Sequence, residues 1–278
     1  AKLPNAYALV NPRIDTSLMD LFGLAGVGVS FKVCHALLQY AVKQGVTEQK
    51  IDLRAGLDLV AMGTVADVSP LIGENRSFVK NGLKLMTYKK RPGVAALADV
   101  AHIEGRVTAS DISRRLAPKI NAAGRVGDPM VSVELLMAQD RSSASRLAYV
   151  LERFNKKRRY AERRAYKEAM ELARQELALD SRGGMVIVGK GWHPGIIGLL
   201  ATKVSRHYNR PVIVLCYDSN SGELLGSGRS CAQLNILDVL VSCNELLSSY
   251  GGHPMAVGIS LARANLKQFK ECFVSAFR

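Results

Sequence analysis

Apolar residues recur at three- and four-residue steps through the first two thirds of the chain, then gather into short runs of four separated by glycine turns. The first pattern predicts helices packed on one another, the second a small sheet with helices between its strands. The first element differs: Tyr7 to Val10 reads as a short strand closed by Asn11-Pro12. Gly23 to Gly28 leads into a buried helix over Val29 to Leu38, the glycines serving close packing or a phosphate cradle, with His35 a packed core histidine. Leu57 to Ala66 reads as an apolar helix that breaks at Gly63 and presents Asp67 in apolar surroundings before Pro70. A buried carboxylate needs a partner, and either a hard divalent cation or backbone amides would serve.

Helices follow over Glu74 to Tyr88 and Gly93 to Ile103, His102 being structural at its end. Thr108 or Ser110 caps a short helix with Asp111 in its first turn, and Pro118 limits its length. Asn121 to Gly127 reads as a small-residue loop. Arg125, between Gly124 and Gly127, either grips a phosphate in bidentate fashion or lies on the surface of a turn. From Ser142 to about Leu179 no glycine or proline interrupts a helical period, so one long helix is expected, with a cationic middle over Arg153 to Arg164 that faces a groove between two domains. Beyond Gly184 the reading is strand Met185 to Val188, turn Trp192 to Gly195, helix Ile196 to Tyr208 and strand Val212 to Leu215. A strand edge over Leu224 to Ser230, a helix from Asn235 to Ser249, a Gly251-Gly252-His253 turn, strand Ala256 to Leu261 and a last helix from Asn265 complete it. Ser227 and Arg229 flank Gly228, so in an extended strand both point the same way and offer a hydroxyl and a guanidinium to one phosphate. Gly251 and Gly252 with His253 form a candidate anion cradle or a plain tight turn.

Composition narrows the partner. A formal net charge of +14, from 38 Lys and Arg against 24 Asp and Glu, points to a polyanion, and nucleic acid fits better than a membrane because no apolar run approaches the ~20 residues of a span. The five cysteines, widely spaced and without a C-x-x-C pair, read as buried thiols in a reducing, cytoplasmic setting. The chain opens on Ala1 rather than Met and reads as if from mid-domain, so an upstream part is expected.

Five stretches in series carry a resemblance: Leu59 to Asp67, Asn121 to Arg125, Gly191 to Gly198, Gly226 to Ser230, and Gly251 to His253. Together they resemble the core of the RecJ-like single-strand-specific exonucleases of the DHH phosphoesterase superfamily, over essentially the whole chain. The resemblance implies an α/β protein. Residues 1–140 would be the mostly helical remainder of a DHH catalytic domain, 141–181 a long basic linking helix, and 182–278 a small α/β DHH-associated domain with a mixed sheet. It further implies 5′ to 3′ hydrolysis of single-stranded DNA in repair and recombination, using Mn2+ or Mg2+.

Carried over by position, Asp67 is a metal ligand and catalytic, and Arg125, also catalytic, contacts the substrate phosphate near the metals. Ser227 and Arg229 grip the 5′ end, and Gly251, Gly252 and His253 lie beside the scissile phosphate, with His253 catalytic. Asn121, His193 and Ser230 join the strand-binding set. The Asp-His-His triplet that names the superfamily and the single-strand-binding OB-fold are absent, so the metal site is incomplete and the chain as it stands is expected to be inactive. The implied partners are single-stranded DNA, a single-strand-binding protein and a helicase, with the protein a monomer and no membrane involved. Two alternatives stay open: a DHH phosphodiesterase of short oligonucleotides or cyclic dinucleotides, and a non-catalytic single-strand-binding replication scaffold.

Overall fold

The computed structural model describes residues 3–14, 23–46, 51–179, 183–219, 221–231 and 234–277. The chain divides into two compact units: Ala1–Ala123 with Pro129–Glu152, and Gly124–Asp128 with Arg153–Arg278.

Every regular element described in the first unit is helical. Its helices are α1 (Gly26–Lys43), α2 (Leu57–Ala66), α3 (Gly73–Tyr88), α4 (Pro92–Val100), the single turn α5 (Ala109–Asp111), α6 (Ala117–Val126), α7 (Met130–Met137) and the start of α8 (Arg141–Leu179). Close backbone approach organises the packing. A Cβ on Gly82 would lie 2.1 Å from the Leu57 carbonyl oxygen, and one on Gly93 1.9 Å from that of Leu135, so only glycine lets these helices meet. Asp58, buried on α2, accepts from Arg91 Nε at 2.7 Å and Nη2 at 3.2 Å, which ties α2 to the start of α4. Thr108 and Asp111 form the expected capping box.

Several elements of this unit differ from those the sequence predicts. Tyr7 to Val10 is not a strand, since no neighbouring strand pairs with it among the described residues. The helix over Leu57 to Ala66 does not break at Gly63, which instead admits Val27 of α1, whose Cγ1 would lie 2.7 Å from an added Cβ. Helix α1 is not buried: among its residues only Gly28 is fully covered, and His35 is exposed with its Nε2 3.3 Å from Gln39 Nε2. Asn121 to Val126 is helical rather than a loop, because Ala122 and Ala123 are fully buried and their small side chains serve packing. A π-helical turn, Ile112–Leu116, precedes Pro118, so the proline's missing N–H and its ring are accommodated without ending the helical path.

The second unit is a five-stranded mixed sheet between two helical layers. Its strands are β1 (Met185–Gly189), β2 (Val212–Tyr217), β3 (Leu224–Arg229), β4 (Ser249–His253) and β5 (Ala256–Leu261), in the order β1-β2-β3-β5-β4. Only β1 and β2 are parallel, and α9 (Pro194–Tyr208) makes the crossover between them. The remaining pairs are antiparallel. One face packs Met185, Ile187, Val212 and Val214 against α9 and the alanines Ala165, Ala169 and Ala173 of α8. The other packs Val186, Ile213 and Leu215 against α10 (Ile236–Ser242) and α11 (Leu266–Ser275), where Phe269 and Phe273 are wholly buried. At ~2–3 kcal/mol for each such side chain removed from water, this second core anchors the C-terminal helix.

Three further corrections concern this unit. Leu224 to Arg229 is an interior strand, flanked by β2 and β5, not a sheet edge. The helix expected to run to Ser249 stops at Ser242, and Ser249 to His253 forms the edge strand β4, so Gly251, Gly252 and His253 lie in a strand whose turn is Pro254-Met255. The cysteines are not all buried thiols: Cys243 and Cys272 are joined by a disulfide across 29 residues, while Cys34 is exposed. Cys216 is buried, and burial pushes its thiol pKa up to about 11, which keeps it protonated and unreactive at neutral pH. The change of pattern at Ser181-Arg182 falls outside the described residues.

Candidate nucleic-acid interface

The second unit carries an open groove of about 700 Å³ across the α9 face of its sheet. Strand β3 supplies its floor. Gly226 and Gly228 turn toward the opposite core, where a Cβ would strike Leu215 and Ile259 or Ile213 and Val257 at 2.5 to 2.6 Å. The alternating residues Ser227 and Arg229 therefore both face the groove, as the period of two requires. Arg229 is held on its inner side: Nη1 donates to Ser227 Oγ at 3.1 Å and to the Gly228 carbonyl at 2.7 Å, and Nε donates to Thr202 Oγ1 at 3.2 Å. Its Nη2 lies beside α9, 3.3 Å from where a Cβ on Gly198 would stand.

Arg125 enters the same groove from the end of α6. Its Nη1 donates to the Gly195 carbonyl at 3.1 Å, and a Cβ on Gly195 would lie 2.0 Å from the Arg125 carbonyl oxygen, so backbone meets backbone at the start of α9. Burial holds the Arg125 guanidinium below its ordinary pKa, with repulsion from Arg158 acting the same way and Glu162 opposing both. Burial likewise lowers Arg229, and the nearby charge of Arg125 adds to it. Both stay protonated at neutral pH. Among the described residues neither has a carboxylate within ion-pair range. Behind them, buried Glu162 accepts from Arg158 Nη1 at 2.8 Å and pairs with Lys203 Nζ at 2.6 Å, which locks α8 to α9.

The other residues singled out from sequence lie outside the groove's lining. His193 is the exposed N-cap of α9: its Nδ1 accepts from the Gly195 amide at 3.0 Å, which leaves the proton of the neutral ring on Nε2. Ser230 is turned away, its hydroxyl donating to the Leu234 carbonyl at 2.6 Å. Gly251, Gly252 and His253 are exposed on β4, where Gly251 pairs with groove residue Gly258. Gly252 has φ 145°, and a Cβ there would lie 2.3 Å from the Ala256 carbonyl oxygen, so glycine is required. Asn121 is exposed on α6, four residues before Arg125.

Asp67, in the first unit, is the C-cap of α2 and is exposed, contrary to the apolar enclosure expected, because the chain turns outward to Ser69 and Pro70. Its Oδ2 lies 3.4 Å from the donor Ser69 Oγ, and the next residue, Val68, holds a left-handed φ of 58°, rare for a β-branched side chain. No three His, Cys, Asp or Glu side chains come together to hold a metal ion among the described residues. The donors among the described residues therefore do not make up a two-metal centre.

Sequence reasoning missed Gly195 and Gly198 as site residues, although two glycines three apart at a helix start signal close approach to that helix face. It also missed the hydroxyl and carboxylate end of the groove, Asp218, Ser221, Glu223, Ser249 and Ser260, which no spacing in the chain brings together.

The mixed sheet, its glycine-lined β3 and the long helix packed on it define a DHH-associated domain, and residues 182–278 match the family model described as the DHHA1 domain. The chain as a whole is 38% identical to the single-stranded-DNA-specific exonuclease RecJ of Dickeya dadantii, over 98% of its own length and 49% of that protein's, so it spans about half of that relative. Crystal structures of RecJ from Thermus thermophilus are similar. The complex with Mn2+ superposes with a TM-score of 0.80 at 30% identity, covering 95% of this chain and 38% of that one. The complex with Mg2+ gives 0.75 at 31%, covering 91% and 38%. Residues 182–278 thus belong to the DHHA1 domain family, and the chain is similar over nearly its whole length to part of the RecJ exonucleases.

Proposed function

We propose that this chain is the core of a single-stranded-DNA-specific exonuclease, a phosphodiester hydrolase of DNA repair and recombination, and that the groove of its second unit grips the 5′ end of the strand. The observation that carries the reading is the meeting of Arg125 and Arg229. Two half-buried guanidiniums repel each other across one groove, with no carboxylate in ion-pair range among the described residues to offset them. A phosphate between them would relieve that repulsion, accept charge-assisted hydrogen bonds from both and take a further one from Ser227. His193, Gly251, Gly252 and His253, all exposed on the same unit, are proposed to follow the strand away from the gripped end.

Mn2+ or Mg2+, named with the Thermus structures, is the proposed cofactor, and Asp67 is proposed to give one of its ligands, although the described residues alone form no site for it. When bound, such ions would supply charge stabilisation to a phosphate. The chain by itself is proposed to bind strands without cutting them, and to work as a cytoplasmic monomer alongside a single-strand-binding protein and a helicase. No helix among the described residues is long and apolar enough to cross a membrane.

Equilibrium binding tests the substrate class. Affinity for a long single strand should exceed that for a dinucleotide by orders of magnitude, and should fall with salt at a log-log slope of ~0.7 for each phosphate neutralised. A flat salt response, or equal affinity for a dinucleotide, would remove the strand from the reading.

A further inference from the structure

The cationic stretch of α8 carries a second, differently built surface. Arg153, Lys156, Lys157, Tyr160, Arg163, Arg164 and Lys167 fall at positions i, i+3, i+4, i+7, i+10, i+11 and i+14, and all are exposed. That spacing puts them on one stripe of the helix, ~21 Å long at 1.5 Å per residue. Glu162, the single acidic residue between Arg153 and Lys167, is buried on the opposite side with Arg158 and Lys203. Within the stripe Arg164 lies 3.6 Å from Glu168, and beyond it Arg174 is 2.8 Å from Glu171.

Tyr160 sits at the middle of the stripe and is 72% exposed. Among the described residues its ring stacks on no other ring and its hydroxyl has no hydrogen-bond partner. Tyr166 on the same helix contrasts with it, being half-buried with Lys203 Nζ 5.2 Å from its ring centroid. An aromatic face left open in a stripe of cations matches one chemistry well: phosphates on the lysines and arginines, an unstacked base on the ring. A membrane surface fits poorly, since an interfacial helix inserts a broad face of Trp, Phe or Leu and this stripe has one ring and no aliphatic side chain.

We infer that the Arg153 to Lys167 face of α8 is a single-strand binding track on which Tyr160 stacks a base. At ~3.4 Å per nucleotide of a stacked strand, the stripe accommodates about six nucleotides. The inference rests on the proposed single-strand function but concerns a surface distinct from the Arg125 and Arg229 groove.

The test measures binding of the chain to a fluorescent oligo-dT and to an abasic strand of equal length, at one salt concentration, for the wild type, Tyr160→Ala and Tyr160→Phe. Tyr160→Ala should bind oligo-dT roughly 10-fold more weakly. Tyr160→Phe should stay within about twofold of the wild type, because the ring and not the hydroxyl does the stacking. On the abasic strand all three should agree. Unchanged oligo-dT affinity in Tyr160→Ala, or an equal loss on the abasic strand, overturns the stacking role. If, on 5′-phosphorylated oligo-dT, Arg229→Ala weakens binding while Tyr160→Ala does not, this inference alone fails; if the wild type binds no strand, the proposed function fails with it. Loss of binding to phosphatidylserine vesicles in Tyr160→Ala, with strand binding unchanged, would reassign the face to a membrane.

Discussion

Replacing Arg229 with alanine is expected to weaken binding of a 5′-phosphorylated single strand about 10- to 100-fold and to leave a 5′-hydroxyl strand nearly unaffected. Charge-assisted hydrogen bonds are worth ~1.5–3 kcal/mol each, and Arg229 has donors to spare. Its Nε and Nη1 are held by Thr202, Ser227 and Gly228, which orients the guanidinium and leaves Nη2 for a ligand. Arg229→Lys should recover only part of the loss, because an ammonium cannot reproduce the planar fork. Titration of labelled strands bearing either terminus reads the ratio. An unchanged ratio in Arg229→Ala would show that the groove does not read the end phosphate.

Gly195→Ala should cost about 3 kcal/mol of stability and, with it, strand affinity. The added Cβ would stand 2.0 Å from the Arg125 carbonyl oxygen and 2.9 Å from its Cα. Since the obstruction is backbone, no rotamer change relieves it. The start of α9 and the end of α6 must separate, which breaks the Arg125 to Gly195 hydrogen bond and displaces Arg125 from the groove. Gly26→Ala is the matched control: a Cβ there meets nothing within 4 Å, so the exposed start of α1 should tolerate it or gain slightly. Urea denaturation of the two variants against the wild type decides the matter, equal midpoints for all three being the contrary outcome.

What could be read from the sequence was local. The 39-residue helix Arg141–Leu179 was legible because nothing in it breaks a helix. The strands Met185–Gly189, Val212–Tyr217 and Ala256–Leu261 were legible as apolar runs, and the shared direction of Ser227 and Arg229 followed from strand geometry alone. Where tertiary packing outweighs local propensity the reading failed. Gly63 looks like a helix break, yet it is the opening that admits Val27. Asn121 to Val126 has a loop's composition, yet its alanines are the small residues a crowded helix contact needs. Strand β4 has no apolar alternation because it lies exposed at the sheet edge, so Ser249 to His253 carried no strand signal. The meeting of Arg125 with Arg229, 104 positions later (229 − 125), leaves no trace in any periodicity. Only their place in two family-like motifs pointed to it.

Capture of a strand's terminal phosphate by the Arg125, Ser227 and Arg229 groove is what the proposed function needs most. It is tested most directly by competing 5′-phosphorylated against 5′-hydroxyl strands of one sequence for the unaltered chain, with inorganic phosphate as a third competitor. The unaltered chain should prefer the phosphorylated end at least about 10-fold, with inorganic phosphate eroding that preference. Equal affinity for both ends, at any phosphate concentration, would contradict it.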